Sequence, residues 1–256
     1  MKGHAPRKRF GQNFLADPHY VTRILDAVEP RRGENVVEIG PGLAALTAGL
    51  IERAGHVTAI EIDRDLAARL RSSYAPGQMT LQEADALDFD FATLGEAQRI
   101  VGNLPYNIST PLLFHLMQFT TRICDIHVML QKEVVARMAA APGTSDYGRL
   151  TVMLQAKFAV TRLFVIPPGA FRPAPEVDSA FARLTPLGSA APRIADEVLF
   201  ARIVAAAFGQ RRKTLRNALA SICGDAALRA AGLDPGARGE TLAMQDYVRL
   251  AAILAG

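Results

Sequence analysis

Apolar and polar positions along the first two thirds of the chain switch repeatedly between two periods. Short β-like runs cover Asn35–Ile39, His56–Ile62, Met79–Gln82, Gln98–Gly102 and Asp125–Leu130. Between and after them, helical spacing predicts helices over Leu43–Arg53, Arg64–Ser73, Thr110–Phe119 and a segment running through Met138. This β-α-β-α order predicts a mostly parallel sheet covered on both faces, a doubly wound, Rossmann-like α/β domain. Ligands of such sheets bind beyond the carboxyl ends of the strands. Two more strands are predicted over Phe158–Ile166 and Ser179–Leu184, with Pro167–Pro175 between them too rich in proline for regular structure. After Gly188-Ser189 the pattern becomes helical. Leu199, Ile203, Val204 and Phe208 mark one face, Leu215, Leu219 and Ile222 a second, and Thr241–Leu254 a third helix. The expected division is therefore a domain over residues 1–188 and a small all-helical domain over 189–256.

Length and composition narrow the class. With 256 residues, half of them hydrophobic, the chain can build a sizeable core. No apolar stretch is long enough to span a bilayer, and no apolar run follows the basic start as a secretory signal requires, so a cytoplasmic protein without membrane contact is expected. Cys124 and Cys223 are the only cysteines, which excludes a disulfide framework and a four-ligand zinc site. Cys124 and His127 read as strand packing, and the histidines lack ligand spacing, so no metal is expected. Charge is uneven. Residues 1–33 carry seven Lys/Arg against three Asp/Glu, residues 34–120 five against eleven, residues 121–172 seven against three, and residues 189–256 nine against six. An acidic centre between basic flanks suits a polyanion gripped by the flanks while the centre holds something else.

The candidate chemistry sits at the predicted strand ends. The first strand runs into Gly40-Pro41-Gly42-Leu43-Ala44-Ala45, where small residues let a nucleotide approach the backbone. Such turns also serve dinucleotides, but Pro41 has no N–H to offer a pyrophosphate and Glu38 brings a carboxylate. Glu61, twenty-one residues after Gly40, could take both hydroxyls of a ribose, and Asp85 after the third strand could accept from an adenine amine. Taken singly, each acid could be a solvated loop carboxylate. The ordered set Gly40, Glu61, Asp85 and Asn103, one per strand end, fits S-adenosylmethionine, whose cationic sulfonium suits the acidic centre, with S-adenosylhomocysteine as product.

The fourth strand ends in Asn103-Leu104-Pro105-Tyr106. The N6 amine of adenine is a poor nucleophile because its lone pair is delocalised into the ring. The Asn103 side-chain oxygen and the Leu104 carbonyl can each accept one N6 hydrogen, which favours the pyramidal amine and aims its lone pair. Pro105 fixes the backbone direction, and Tyr106 can stack on a flipped base. Phe171 is a candidate second face of this base clamp. No general base is required, because N6 becomes acidic once it bonds the methyl group. The plain alternative is an ordinary turn into a helix.

With these residues the chain resembles the ribosomal RNA adenine dimethyltransferases, most closely the bacterial small-subunit branch. The resemblance runs through Gly11-Gln12-Asn13-Phe14-Leu15, the turn from Glu38 to Thr47, Asn103 to Ser109, Gln131-Lys132-Glu133-Val134, Tyr147-Gly148-Arg149-Leu150, Phe171 to Ala180 and Phe208 to Asn217. It implies donor contacts at Asn13, Leu15, Gly40, Gly42, Glu61, Asp85 and Asn103. It also implies a substrate: two adjacent adenosines in a hairpin loop near the 3′ end of 16S rRNA in the small ribosomal subunit, each dimethylated at N6. A loop suits such chemistry because its bases are partly unstacked. Ala44 stands where the family usually has a third glycine, and its methyl group is expected to crowd the donor's methionine portion.

Arg212 and Arg216, four residues apart, are expected to share a helix face, flanked by Arg211 and Lys213. Arg7, Lys8 and Arg9 form a second cluster with Lys2. Both clusters would contact phosphates. Two other readings stand beside this one: a large-subunit adenine methyltransferase of the macrolide-resistance type, and a non-catalytic rRNA-binding assembly factor. A monomer is the default.

Overall fold

The computed structural model describes residues 12–256. Its strands are β1 (Phe14–Leu15), β2 (Asn35–Ile39), β3 (Val57–Ile60), β4 (Met79–Gln82), β5 (Gln98–Asn103), β6 (Ile123–Gln131), β7 (Phe158–Ile166), β8 (Phe171–Arg172) and β9 (Ser179–Pro186). Its α-helices are α1 (Pro18–Val28), α2 (Thr47–Ala54), α3 (Arg64–Ser73), α4 (Ser109–Leu116), α5 (Lys132–Met138), α6 (Arg149–Gln155), α7 (Glu197–Gly209), α8 (Leu215–Ala218), α9 (Asp225–Ala230) and α10 (Met244–Ala255).

Seven strands form one sheet in the order β4-β3-β2-β5-β6-β9-β7. The neighbours from β4 to β6 pair in parallel, and β9 runs antiparallel to β6. This is the mostly parallel α/β fold that the alternating pattern predicts. Strand order reverses between β2 and β5, and a crevice forms at such a switch point beyond the carboxyl ends of the strands. Gly102 lets the two strands approach there. A Cβ on it would lie 2.8 Å from Leu104 Cδ2 and 3.0 Å from the Ile39 carbonyl oxygen.

The chain divides into two compact units. The first runs to Val135 and resumes over Thr161–Pro186; the second comprises Ala136–Val160 and Leu187–Gly256. The core of the first gathers Ile24, Leu25 and Val28 of α1, Leu50 and Ile51 of α2, and Val36, Val101, Met129 and Phe181 of the sheet. The core of the second joins Tyr147, Val152 and Ala156 to Phe200, Ile203 and Val204 of α7 and to Tyr247, Leu250 and Ala251 of α10. Residues 136–160 therefore group with the C-terminal helices, where the sequence reading places the whole of 1–188 in one domain. The reason is packing: the apolar face of α6 buries Leu150, Val152 and Leu154, and its Val152 belongs to the core of the second unit.

Two local differences from the sequence reading bear on function. First, α2 begins at Thr47, four residues later than expected, because Gly40, Gly42 and Ala44 all have φ near +60° and the turn continues to Leu46. Second, the proline-rich stretch contains β8, which pairs with β1 through Phe14↔Arg172 and Leu15↔Phe171. Prolines flank this strand without interrupting its two residues.

Candidate active site

A cavity of ≈ 280 Å³ opens at the switch point in the first unit. Its wall includes Asn13 and Leu15 from the β1 segment, Gly40 and Gly42 after β2, Glu61 after β3, Asp85 after β4, and Asn103 to Tyr106 at the end of β5. Every donor contact expected from the sequence thus meets the acceptor tetrapeptide around one space.

Glu61 is 5% exposed. Its Oε2 accepts from the Gly42 N–H at 3.1 Å and its Oε1 from the Asp63 N–H at 2.9 Å. Each oxygen keeps a further lone pair. Burial raises the pKa of this carboxyl, and the backbone donors at Asp63 and Gly42 pull it back. Asp63, fully buried, caps α3 by accepting from the Asp65 N–H at 3.0 Å and accepts from Gln12 Nε2 at 3.3 Å. Asp85 Oδ1 accepts from the Leu87 N–H at 2.9 Å. Glu38 also lines the cavity. It is 2% exposed, its Oε2 has no hydrogen-bond partner, and burial pushes its carboxyl up to about 7. Thr47 acts against that rise and Glu61 adds to it.

The acceptor side is built from backbone commitments. Asn103 Nδ2 donates to the Asn13 carbonyl at 2.8 Å. That bond fixes which end of the amide is which, since only the NH₂ can donate to a carbonyl, and it leaves Oδ1 as an acceptor. The Leu104 N–H donates to the Met129 carbonyl at 3.2 Å, while the Leu104 carbonyl receives no hydrogen bond among the described residues. The Pro105 carbonyl is occupied: it accepts from the Ile108 N–H at 3.1 Å and Ser109 Oγ at 3.0 Å. Two free acceptors, Asn103 Oδ1 and the Leu104 carbonyl, therefore stand side by side in sequence at the cavity wall. Tyr106 is half-buried and its hydroxyl bonds Ser179 Oγ at 2.7 Å. Burial raises the phenol's pKa above its ordinary value, so it is no base near neutral pH.

The structure places two of the expected residues away from the cavity wall. Phe171 is 1% exposed and packs in the core of the first unit, where its strand pairs with Leu15. Ala44 is not part of the cavity wall; it packs against the same core, and its conflict is with its own backbone, at φ +67°. Gln12, which lines the cavity, and Ser179, which bonds the Tyr106 hydroxyl, did not stand out from the sequence as site residues. Gln12 lies inside the Gly11-to-Leu15 motif, which could have flagged it. Nothing in the strand pattern around Ser179 announces a partner 73 residues away.

The sequence profile described as Ribosomal RNA adenine dimethylase matches residues 3–256. The chain belongs to this family. The ribosomal RNA small subunit methyltransferase A of Aromatoleum aromaticum is 59% identical to this dimethylase over 255 residues, 100% of this chain and 96% of its own. The protein of the same description from Thiobacillus denitrificans is 57% identical over 252 residues, 98% of this chain and 99% of its own. Among solved structures, a dimethyladenosine transferase from Plasmodium falciparum shares the fold at a TM-score of 0.78 and 24% identity, covering 93% of this chain and 95% of that one. The 23S rRNA methyltransferase ErmE superposes at a TM-score of 0.70 with 29% identity, covering 95% and 100%.

As a member of this family the dimethylase uses S-adenosylmethionine as methyl donor. The cavity chemistry fits that cofactor. Glu38, Glu61 and Asp85 line it and no Lys or Arg does among the described residues, which favours a cation bearing hydroxyls and disfavours a phosphate. Among the described residues no cluster of three or more His, Cys, Asp or Glu is arranged to hold a metal ion.

The expected RNA-binding residues of the dimethylase divide into three groups. Arg7, Lys8 and Arg9 lie outside the described residues. Arg211 and Arg216 are engaged within the second unit. Arg211 Nε donates to Glu240 at 2.7 Å and its Nη2 to the Ser145 carbonyl at 2.6 Å, while Arg216 grips Asp225 with contacts of 2.5–3.0 Å. Arg212 and Lys213 are exposed. Arg212 does not share a helix face with Arg216. Helix α7 stops at Gly209, and residues 210–214 form a turn that ends where Thr214 bridges Arg238.

Proposed function

We propose that this dimethylase converts two adjacent adenosines in a hairpin loop near the 3′ end of 16S rRNA to N6,N6-dimethyladenosine, using four methyl groups, in the cytoplasm and as a step of small-subunit assembly. The observation that carries the acceptor chemistry is the Asn103 amide. Its NH₂ is held by the Asn13 carbonyl, so Oδ1 is left to accept one N6 hydrogen while the Leu104 carbonyl accepts the other. Both acceptors favour the pyramidal amine over the planar one, a preference realised only on the way to the transition state. Tyr106 supports the flipped base. Glu61 receives the ribose hydroxyls, Asp85 the adenine amine, and Asn13, Leu15, Gly40 and Gly42 shape the wall. When bound, S-adenosylmethionine supplies a methyl group made electrophilic by its sulfonium. The proton released from N6 passes to solvent, consistent with a raised Tyr106 phenol and a cavity wall that holds no His or Lys among the described residues.

The small subunit is favoured over the large because the full-length relatives at 59% and 57% identity are described as small-subunit methyltransferases, while the 23S enzyme stands at 29%. Primer extension across the 3′ hairpin of 16S rRNA tests the reading. Polymerase stops at the adjacent adenosines are expected in wild type and absent after deletion of the gene. Stops that persist in the deletion strain would sink it.

A further inference from the structure

The Tyr106 hydroxyl ends on a serine that is itself part of the sheet. Ser179 opens β9, is fully buried, and is in register with Gln131 of β6. The preceding residue is clamped twice: the Lys132 N–H donates to the Asp178 carbonyl at 2.9 Å, and Lys132 Nζ meets Asp178 Oδ2 at 3.0 Å. The next three residues of β9, Ala180, Phe181 and Ala182, are apolar and buried. A hydroxyl in that setting has lost its water and needs a partner. Among the described residues, Tyr106 is its side-chain partner, at 2.7 Å.

The geometry points to Ser179 as a positioning residue for methyl transfer, fixing the plane of the Tyr106 ring on which the target base stacks. This rests on the reading above that Tyr106 supports the flipped base. The ring is then held at both ends. Its backbone is set by the turn in which the Pro105 carbonyl takes Ile108 N–H and Ser109 Oγ, and its far end is set by a point on a seven-stranded sheet. A base on a rotating ring would carry N6 away from Asn103 Oδ1 and the Leu104 carbonyl, and transfer rates are steep in such misplacement.

The test is a double-mutant cycle of Ser179→Ala and Tyr106→Phe, with Tyr106→Ala as reference. Single-turnover methyl transfer to undermethylated small-subunit particles is measured at saturating donor, with donor affinity by calorimetry as the check on folding. Ser179→Ala and Tyr106→Phe are each expected to lower the rate about five-fold, the weight of one neutral hydrogen bond. The double variant is expected to lose no more than either alone, with donor affinity within two-fold of wild type throughout. An unchanged rate for Ser179→Ala, or a full further loss when it is added to Tyr106→Phe, would overturn the positioning role. If Tyr106→Ala itself keeps the wild-type rate, the base-stacking reading fails instead, which separates the two.

Discussion

Glu38 and Ala44 are the residues at which the donor turn departs most from what an isolated chain would choose. Glu38 is buried without a full set of partners, and its carboxyl sits near 7 where an exposed one sits at 4.5. Because the folded pKa is raised, the folded state holds the proton more tightly. Its contribution to stability is complete below about pH 4.5 and is lost as pH rises through about 7. Glu38→Gln is therefore expected to change the ligand-free melting temperature little at pH 5 and to raise it at pH 8, by up to ~3 kcal/mol in stability. Equal shifts at both pH values would contradict this. Ala44 holds φ +67°, a conformation that costs a residue with a Cβ ~1–2 kcal/mol. Ala44→Gly relieves that strain and loses part of the gain to the greater freedom of the unfolded glycine. The expectation is a net gain of ~0.5 kcal/mol in urea denaturation, with donor affinity unchanged because Ala44 is not part of the cavity wall. Tighter donor binding would restore the crowding that the sequence suggested.

Helices and strands whose apolar residues repeat cleanly were legible in the sequence: β2, β4, β7 and α3 lie where the periodicity places them. The elements that escaped are those set by contacts far along the chain. Helix α1 is a different case: its Asp17 cap, Pro18 start and apolar stripe through Ile24, Leu25 and Val28 are local signals present in the sequence. Strand β8 exists because β1 pairs with it, and the Leu215-to-Ile222 periodicity breaks after Ala218 into turn. The strand-end acids and the tetrapeptide were legible because the doubly wound topology sends every parallel strand end to one side. The burial of Phe171 was not, since an aromatic residue among prolines reads equally as core or as ligand contact. Its role is separable by measurement. Phe171→Ala is expected to lower stability by ~3–5 kcal/mol, the cost of emptying a core phenylalanine site. Phe171→Leu, which keeps most of the volume, should retain methyl transfer within a few-fold. A stable but inactive Phe171→Leu would return the residue to the base clamp.

At the scale of the molecule, the acidic centre of the sequence supplies a cavity walled by carboxylates in the first unit, and the C-terminal basic flank supplies exposed cations in the second. Charge counts located the clusters but not their commitments. Arg211 and Arg216 serve Glu240 and Asp225, while Arg212 and Lys213 make no ion pair among the described residues. The pair Arg212→Glu with Lys213→Glu is therefore expected to weaken binding to small-subunit particles and to reduce the salt slope by about 1–2. Arg216→Ala should instead loosen the α8–α9 connection. An unchanged slope for the double variant would move the RNA contact elsewhere. The central claim, N6,N6-dimethylation of two neighbouring adenosines, is tested most directly by counting. Purified enzyme is incubated with undermethylated small-subunit particles and isotopically labelled S-adenosylmethionine, and the 16S rRNA is then digested for nucleoside mass spectrometry. The account predicts two labelled N6,N6-dimethyladenosines per particle from the 3′ hairpin and none with Asn103→Ala. Label confined to monomethyladenosine, to another part of the RNA, or to particles treated with Asn103→Ala at the wild-type level would contradict it.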